Sequence, residues 1–360
     1  MNQTKMTPYL SDKIRVMSFM CIMLVVWIHT YYTEGQNYTS SVFLMNFWGC
    51  GVCTLAVPLF YTISGYLFFL GTMEKGVTSI FGKQIKRVRT LLVPYLLTNV
   101  LSLLFYYLLR VLTEMKPAVG TLINNNLLDR AEPGCLGVIK YCFWDGPIAF
   151  QMWFVRDLMV LVVSAPIIYY ILRFSARSKW FGIVAIIACV LLIDWHANPL
   201  AWAAGWFILG GVFSSNPFLN VEIEKHTWIG YLLAVISLLV IVIDALYAAG
   251  LNDMFIDMDY ITIIGLPAIW MIYDKVTLKH RLANGQKMGI LCGSTFFIYL
   301  IHEPFLNIFK KIPFFISGSE MFINIIYILC PIVFVLCAII IGVQIKKAFP
   351  HGYNVFTGGR

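Results

Sequence analysis

The sequence predicts an all-α membrane protein, a polytopic bundle of about ten transmembrane helices with both termini in the cytoplasm. Of its 360 residues, 60% are hydrophobic and only 12% are charged, and the mean hydropathy is +0.80. Apolar runs of about 20 residues, the length that crosses a bilayer, recur along the chain. Basic residues gather between alternate runs, as they do in cytoplasmic loops.

Ten segments are long and apolar enough to cross a bilayer once some tilt or shortening is allowed. They are 14–33, 43–70, 91–112, 151–172, 180–195, 200–214, 228–249, 258–274, 289–309 and 321–343. With the N-terminus inside, the segments assigned to the cytoplasm hold 19 of the 26 Lys and Arg residues. The positive-inside rule therefore places both termini in the cytoplasm. The net charge of +8 then reflects this bias, and no nucleic-acid partner is predicted.

The chain is predicted to form one membrane domain over residues 1–345, followed by a short basic cytoplasmic tail, 346–360. The first apolar run has no small-x-small cleavage site, so it is expected to remain as an uncleaved anchor. The longest polar segment, 114–150, contains several Asn, Pro and Gly residues and is predicted to form an outer loop or cap.

Two pairs of cysteines have spacings that could form a site. Cys50 and Cys53 have C-x-x-C spacing, but they lie in an apolar run without a second pair or a nearby histidine. This context favours helix packing over a zinc or redox site, and no metal is predicted. Cys135 and Cys142 in the predicted outer loop could form a disulfide if the compartment is oxidising.

The first predicted span, SDKIRVMSFMCIMLVVWIHTYY, begins with Arg15 and carries His29 deep in its apolar part. On a helix the two side chains lie within roughly 40° of one face but ~21 Å apart, so they cannot touch. Arg15 could simply anchor the topology, and His29 could simply make a hydrogen bond between helices. An ionisable group inside a membrane is costly, however, and this makes a functional role for His29 an open alternative.

The second and third spans carry further candidate residues. VPLFYTISGYLFF places Ser64 beside a glycine, where a neighbouring helix or a ligand could approach closely. KQIKRVRTLLVPYL carries Lys86, Arg87 and Arg89 at the predicted cytoplasmic edge. Such a basic edge can serve orientation alone, or it can bind an anionic nucleotide-type donor, because guanidinium groups bind phosphate in a fork.

The fourth span opens from the predicted outside with the segment QMWFVRDLMVL. It presents Trp153 and the adjacent opposite charges Arg156 and Asp157. These two charges could merely neutralise each other at the mouth of the helix, or they could bind a polar substrate.

The ninth span contains the segment TFFIYLIHEPFL. Tyr299 and His302 lie three residues apart, and so on one helix face, with Glu303 beside them. Hydrogen bonds between helices and a catalytic role are both compatible with this pattern.

These segments, taken in order, resemble the acyltransferase 3 family of ten-span membrane acyltransferases, from Asp12 to about Lys347. Asp12, Arg15 and His29 resemble the Asp-x-x-Arg motif and the later histidine of the family's first span. The separation of Arg15 and His29 is longer here than in the family, whose register for the arginine falls on Ser18. A cation nevertheless remains at the cytoplasmic mouth.

The remaining segments carry the resemblance through the chain. VPLFYTISGYLFF is similar to the family's second span, KRVRTLLVPY to its basic approach to the third, and the Trp-Phe pair to the start of its fourth. Phe296, Tyr299 and His302 match the family's Phe-x-x-Tyr-x-x-His pattern. At the third span, Lys86 and Arg89 stand where the family has Arg-x-x-Arg.

The resemblance implies a function and a location. The family transfers acyl groups, usually acetyl from acetyl-CoA, to hydroxyls of envelope or secreted glycans and of some small molecules. The chain is therefore expected to be a multi-pass O-acyltransferase of the bacterial inner membrane that acetylates a glycan. Its expected partners are the lipid bilayer, an acyl-CoA donor and a glycan acceptor.

The resemblance also implies roles for the candidate residues, with His29 as the general base. The catalytic group comprises His29, Glu303, Tyr299 and His302. The last three, together with Asp157, are candidates to orient His29, form an oxyanion site or bind sugar hydroxyls. The donor-binding group comprises Arg15, Lys86, Arg87 and Arg89. The acceptor-binding group comprises Trp153, Arg156, Asp157 and Ser64.

Two other classes of function fit the same features. Ten helices with an intramembrane histidine and charged mouths also suit a proton-coupled transporter or exporter of a small polar molecule or glycan. A scaffold in an envelope assembly is a third reading. Dependence on acyl-CoA separates an acyltransferase from a transporter, and tolerance of His29→Ala identifies a scaffold.

Overall fold

The computed structural model describes residues 6–32, 38–115, 134–195, 198–216, 227–278, 280–311, 316–317 and 319–359. All the regular elements within these ranges are helical. Residues 116–133 of the predicted outer loop lie outside the described residues.

The α-helices follow the predicted apolar runs. In chain order they are α1 (Pro8–His29), α2 (Thr39–Met45), α3 (Ala56–Phe69), α4 (Thr72–Lys75), α5 (Thr78–Met115), α6 (Cys135–Lys140), α7 (Trp153–Val163), α8 (Ala165–Ser175), α9 (Lys179–Asp194), α10 (Pro199–Ser215), α11 (Thr227–Ala248), α12 (Met258–Val276), α13 (Gln286–Phe309), α14 (Glu320–Ala348) and α15 (Pro350–Phe356). Short π-helical and 3₁₀ turns extend some of them, including a 3₁₀ turn at Phe150–Met152.

Several of these helical segments can cross a bilayer. By length and apolar composition, five do so within the described residues, or six if a bent pair around residue 146 counts as one crossing. The five are Thr39–Lys75, Thr78–Met115, Trp228–Ala248, Gln286–Phe309 and Glu320–Ala348. The all-α, multi-pass prediction is thus confirmed, whereas the count of about ten spans and the cytoplasmic termini stay predictions.

Three predicted spans differ in detail from the observed helices. The first, predicted over 14–33, is observed as α1, so His29 ends the helix and does not lie deep within it. The third is longer than its apolar run, because α5 begins at Thr78 and its basic stretch is already helical. The fourth is divided into α7 and α8 at Ser164. Pro166 lies in the first turn of α8. Proline is tolerated there because an N–H in the first turn has no acceptor within the helix.

The chain folds into two compact units, each assembled from separate stretches of sequence. The first comprises Met1–Ile28, Gly35–Ile85 and Val160–Cys292. The second comprises His29–Glu34, Lys86–Met159 and Gly293–Arg360.

The first unit is built around a close crossing of α3 and α10. A Cβ atom added to Gly65 would lie 1.9 Å from the main-chain oxygen of Phe207, and one added to Gly210 would lie 1.9 Å from that of Thr62. Both glycines therefore let two backbones touch, as small residues do in membrane helix pairs. Gly65 in the second span therefore has a packing role.

We expect Gly65→Ala to destabilise the protein by roughly 1–3 kcal/mol, because the new methyl group meets main chain that cannot rotate away. Gly82→Ala is the matched control: the site lies in α5 with nothing within 4 Å of the added Cβ. It should be neutral or slightly stabilising. Thermal unfolding of both variants in detergent measures the difference, and equal melting temperatures would contradict the crossing.

The start of α1 is held within the first unit by buried charges. The Lys13 ammonium lies 2.9 Å from an Asp274 carboxylate oxygen and 4.0 Å from the centre of the Trp270 ring. Asp12 accepts a hydrogen bond from the Ala283 N–H at 3.2 Å. Asp12, which opens the family motif, thus ties α1 to the segment before α13, and Arg15 on the same helix is exposed.

The C-terminal residues fold against the second unit. The rings of Tyr353 in α15 and Phe297 in α13 are stacked at 5.4 Å, and Tyr353 and Thr357 are buried. Gly358 has a φ of +62°, and an added Cβ would lie 2.3 Å from the main-chain oxygen of Thr90. The predicted tail is therefore helical over Pro350–Phe356 and contacts the start of the third span.

Candidate active site

His29 is the last residue of α1, at a helix end where main-chain carbonyls lack intrahelical partners. The Lys310 ammonium donates a hydrogen bond to the His29 carbonyl oxygen at 3.1 Å. A cation at a helix C-terminus is favourable, because it complements both the free carbonyls and the helix dipole. Lys310 thereby fixes the end of the helix that carries the imidazole.

A break in α13 brings Glu303 towards His29. Glu303 has non-helical angles, φ −104° and ψ 140°, inside an otherwise helical segment. The next residue, Pro304, explains the break, because proline lacks an N–H and disfavours helical angles in the residue before it. His302 and Glu303, which are adjacent in the sequence, therefore do not lie on consecutive positions of a regular helix.

The His29 imidazole and the Glu303 carboxylate form the centre of the site. His29 Nδ1 lies 3.5 Å from Glu303 Oε1, and their side chains are only 17% and 12% exposed. Hydrogen bonds at catalytic sites are often this long without substrate and shorten when it binds. The Phe150 ring meets the imidazole edge-on at 5.9 Å. The carboxylate can thus orient the ring and leave Nε2 for a substrate.

His302 lies against His29 and is fully buried, with their ring centres 5.0 Å apart. Its Nδ1 lies 2.8 Å from the carbonyl oxygen of Tyr299. A carbonyl only accepts hydrogen bonds, so Nδ1 carries the proton in the neutral ring. Nε2 is then an acceptor, and it has no hydrogen-bond partner in the described structure. A neutral His302 suits a substrate hydroxyl better than an oxyanion.

Tyr299 and Gln151 brace the broken helix. The Tyr299 hydroxyl donates to the main-chain oxygen of Gln151. The Gln151 amide donates to the carbonyl oxygens of Leu300, at 3.1 Å, and Glu303, at 3.3 Å. The Leu300 carbonyl needs this donor, because its helical partner would be the N–H that Pro304 lacks. Tyr299, predicted as catalytic, is therefore placed to position other residues.

The turn that carries Phe150 and Gln151 is fixed from α5. Asn99 is fully buried there, and its side-chain oxygen accepts a hydrogen bond from the Ala149 N–H at 3.2 Å. Tyr95, one turn earlier, donates to the carbonyl oxygen of Phe143. The third span thus holds the segment that supports both His29 and the break in α13.

The predicted acceptor-binding residues of the fourth span make contacts near its start. Arg156 and Asp157 pair with each other at 2.9 Å, and Arg156 also donates to the carbonyl oxygen of Trp144. The second carboxylate oxygen of Asp157 is buried without a hydrogen-bond partner in the described structure. Trp153 contacts Phe154, whose ring meets that of Tyr299.

The predicted donor-binding residues fall into both units. Lys86, Arg87 and Arg89 lie on α5 in the second unit, Arg87 partly buried and the other two exposed. Arg15 lies in the first unit, as does Ser64 from the acceptor-binding group. Donor and acceptor binding by all of these residues stays a prediction.

The site includes three residues that the sequence motifs did not identify: Phe150, Gln151 and Lys310. Gln151 had a signal in the sequence, since an amide at the start of an apolar span needs partners. The predicted pair Cys135 and Cys142 are free thiols, one exposed and one buried.

Comparisons with known proteins identify the family that the sequence motifs resemble. The sequence model of the acyltransferase 3 family, described as an acyltransferase domain, matches residues 12–342. The chain is also 23% identical over 362 residues to the succinoglycan biosynthesis protein ExoH of Rhizobium meliloti (strain 1021), covering 97% of this chain and 92% of that protein. No solved structure matches.

Proposed function

Because the chain belongs to the acyltransferase 3 family, we propose that it transfers an acyl group from cytoplasmic acyl-CoA to a hydroxyl of an envelope or extracellular glycan. Acetyl is the expected acyl group, and His29 is the general base. The observation that carries the proposal is the His29–Glu303 pair, a partly buried imidazole with a carboxylate 3.5 Å from Nδ1. A relative named for succinoglycan biosynthesis supports a glycan acceptor.

The proposed reaction needs one base and no redox partner. His29 Nε2 takes the proton of the acceptor hydroxyl while the oxygen attacks the thioester carbonyl carbon. The C–O ester bond forms, the C–S bond breaks, and the imidazolium returns the proton to the leaving thiolate. The acyl group passes either directly or by way of an acyl-imidazole. Glu303 stabilises the positive charge that His29 gains during the transfer.

The donor is proposed to enter from the cytoplasm and to meet the basic start of α5. Guanidinium groups bind phosphates in bidentate pairs, and coenzyme A carries phosphates at the end remote from its thioester. Lys86, Arg87 and Arg89 supply three positive charges over one helical turn. Arg15 is proposed to add a fourth.

We expect Arg87→Ala to raise KM for acetyl-CoA about 10-fold with little change in KM for the acceptor, because a phosphate contact is lost. Arg87→Lys should restore the affinity for acetyl-CoA only in part, since an ammonium group cannot form the bidentate contact with phosphate. Arg110→Ala is the control, an exposed arginine of the same helix that pairs with Glu114. Unchanged donor affinity in Arg87→Ala and Arg89→Ala would assign these residues to topology alone.

One comparison tests the function as a whole. Surface and secreted glycans from cells with and without the gene are analysed by mass spectrometry for acyl groups. Loss of one acyl substituent in the deletion strain, restored by the wild-type gene and not by His29→Ala, is the expected result. Identical acylation in both strains would refute the proposal. A transporter, the alternative class, would instead show flux that responds to a proton gradient and not to acyl-CoA.

A further inference from the structure

Two adjacent lysines lie beside His29 in the second unit. Lys310 and Lys311 follow Phe309, the last residue of α13. Their ammonium groups lie 6.0 and 5.6 Å from the centre of the Tyr32 ring, so both flank the same side chain. Lys310 also binds the His29 carbonyl oxygen. One positive charge is therefore held at the residue proposed as the base, and the second lies at the same tyrosine ring as the first.

These charges are not neutralised by an ion pair. Neither ammonium group forms a salt bridge within the described part of the chain, although Glu303 acts on Lys310 electrostatically. Burial lowers the pKa of Lys310, Glu303 raises it, and the neighbouring Lys311 lowers it again. Like charges held together disfavour each other, so an anion bound between them would stabilise both.

Binding of a neutral sugar acceptor does not explain why two lysines lie here. A sugar acceptor has other hydroxyls, which donate hydrogen bonds. The buried Oε1 of Gln151 and Nε2 of His302 are acceptors of the kind these hydroxyls need, and neither has a hydrogen-bond partner in the described structure. A neutral sugar offers nothing that a lysine pair would recognise better than water does. The lysines also follow a span predicted to end outside, where basic residues are under-represented.

We infer that Lys310 and Lys311 bind an anionic group, a carboxylate or a phosphate, that one of the two substrates carries close to the reacting hydroxyl or carbonyl. The inference rests on the proposed acyl transfer at His29. The anion has two sources that share this chemistry. One is the far carboxylate of a dicarboxylic acyl group, and the other is an acidic substituent of the glycan acceptor.

The first test is binding without turnover. The purified wild-type protein is treated with an amine-reactive reagent in the presence of succinate or glucuronate, with succinamide and glucose as neutral counterparts. Mass spectrometry then follows labelling of Lys311, with the exposed Lys347 as internal control. The acids should slow labelling of Lys311 at least about 5-fold and leave Lys347 unchanged. Equal labelling of Lys311 with acids and neutral compounds would overturn the site.

The second test separates the two sources. Transfer by Lys311→Gln is measured with acetyl-CoA and succinyl-CoA, onto glycan from deletion cells before and after removal of its carboxyl and phosphate charges. KM should rise about 10-fold for the acidic substrate only, corresponding to loss of about 1.4 kcal/mol. Lys311→Arg should restore the wild-type KM for the acidic substrate. This variant also shows that position 311 tolerates substitution.

The two proposals fail in different ways. Equal effects of Lys311→Gln on every substrate pair would remove the anion site and leave acyl transfer intact. Absence of transfer by the wild-type protein with all donors would refute the proposed function, whereas acid protection of Lys311 would still hold.

Discussion

His29→Ala is expected to fold and insert normally and to transfer acyl groups about 10²–10⁴-fold more slowly than wild type, the usual effect of removing a general base. The imidazole lies at the end of α1, and within the described residues it contacts the Glu303 carboxylate and the rings of Phe150 and His302. The substitution removes one side chain at a helix end, so the bundle is expected to stay folded and inserted. Transfer to the glycan acceptor in isolated membranes, normalised to the amount of inserted protein, measures the effect.

A histidine elsewhere on the chain provides the control. His351 lies exposed on α15 and carries the same side chain, so His351→Ala should retain wild-type activity. His29→Gln keeps a polar side chain and should be as slow as His29→Ala, because the amide cannot take a proton at neutral pH. Near-normal turnover by correctly inserted His29→Ala would exclude His29 as the base.

The helices were predictable because membrane spans are long apolar runs, and the signal is local. The breaks inside them were harder to place. Pro304 was visible in the sequence, but its consequence, the turn of Glu303 towards His29, depends on which partner takes the freed Leu300 carbonyl. That partner is Gln151, about 150 positions earlier in the chain. Sequence spacing alone cannot reveal a hydrogen bond of this range.

The part of the site that belongs to the family motifs was predictable from the sequence. His29, Tyr299, His302 and Glu303 were identified from short patterns, and the structure brings them together in one unit. Their division of labour was not predictable, because it depends on hydrogen-bond partners. The Tyr299 hydroxyl, for example, donates a hydrogen bond to the main-chain oxygen of Gln151.

Lys310 illustrates a second limit of the sequence. A lysine just beyond a predicted span reads as an ordinary boundary residue, and no motif includes it. Its contact with the His29 carbonyl joins positions 281 residues apart. In contrast, Ser64 belongs to a recognisable motif, yet the close approach of α3 and α10 at Gly65 gives that motif a packing role.

Glu303→Gln is expected to slow transfer roughly 10²-fold or more, by analogy with the carboxylate that orients the histidine of Ser-His-Asp triads. The substitution keeps the size of the side chain and removes the charge that stabilises protonated His29. KM for acyl-CoA should hardly change, since the donor is proposed to bind at α5. Glu114→Gln is the control, because Glu114 forms an exposed pair with Arg110 on the surface of α5.

The double variant His29→Ala/Glu303→Gln decides whether the carboxylate acts through the imidazole. If Glu303 only orients and stabilises His29, it has nothing left to act on once the imidazole is gone, so the double variant should be no slower than His29→Ala. If the two effects multiply, Glu303 has a separate role in the reaction or in folding. Melting temperatures of all three proteins separate these cases, because a folding defect persists without His29 whereas an orienting role vanishes with it.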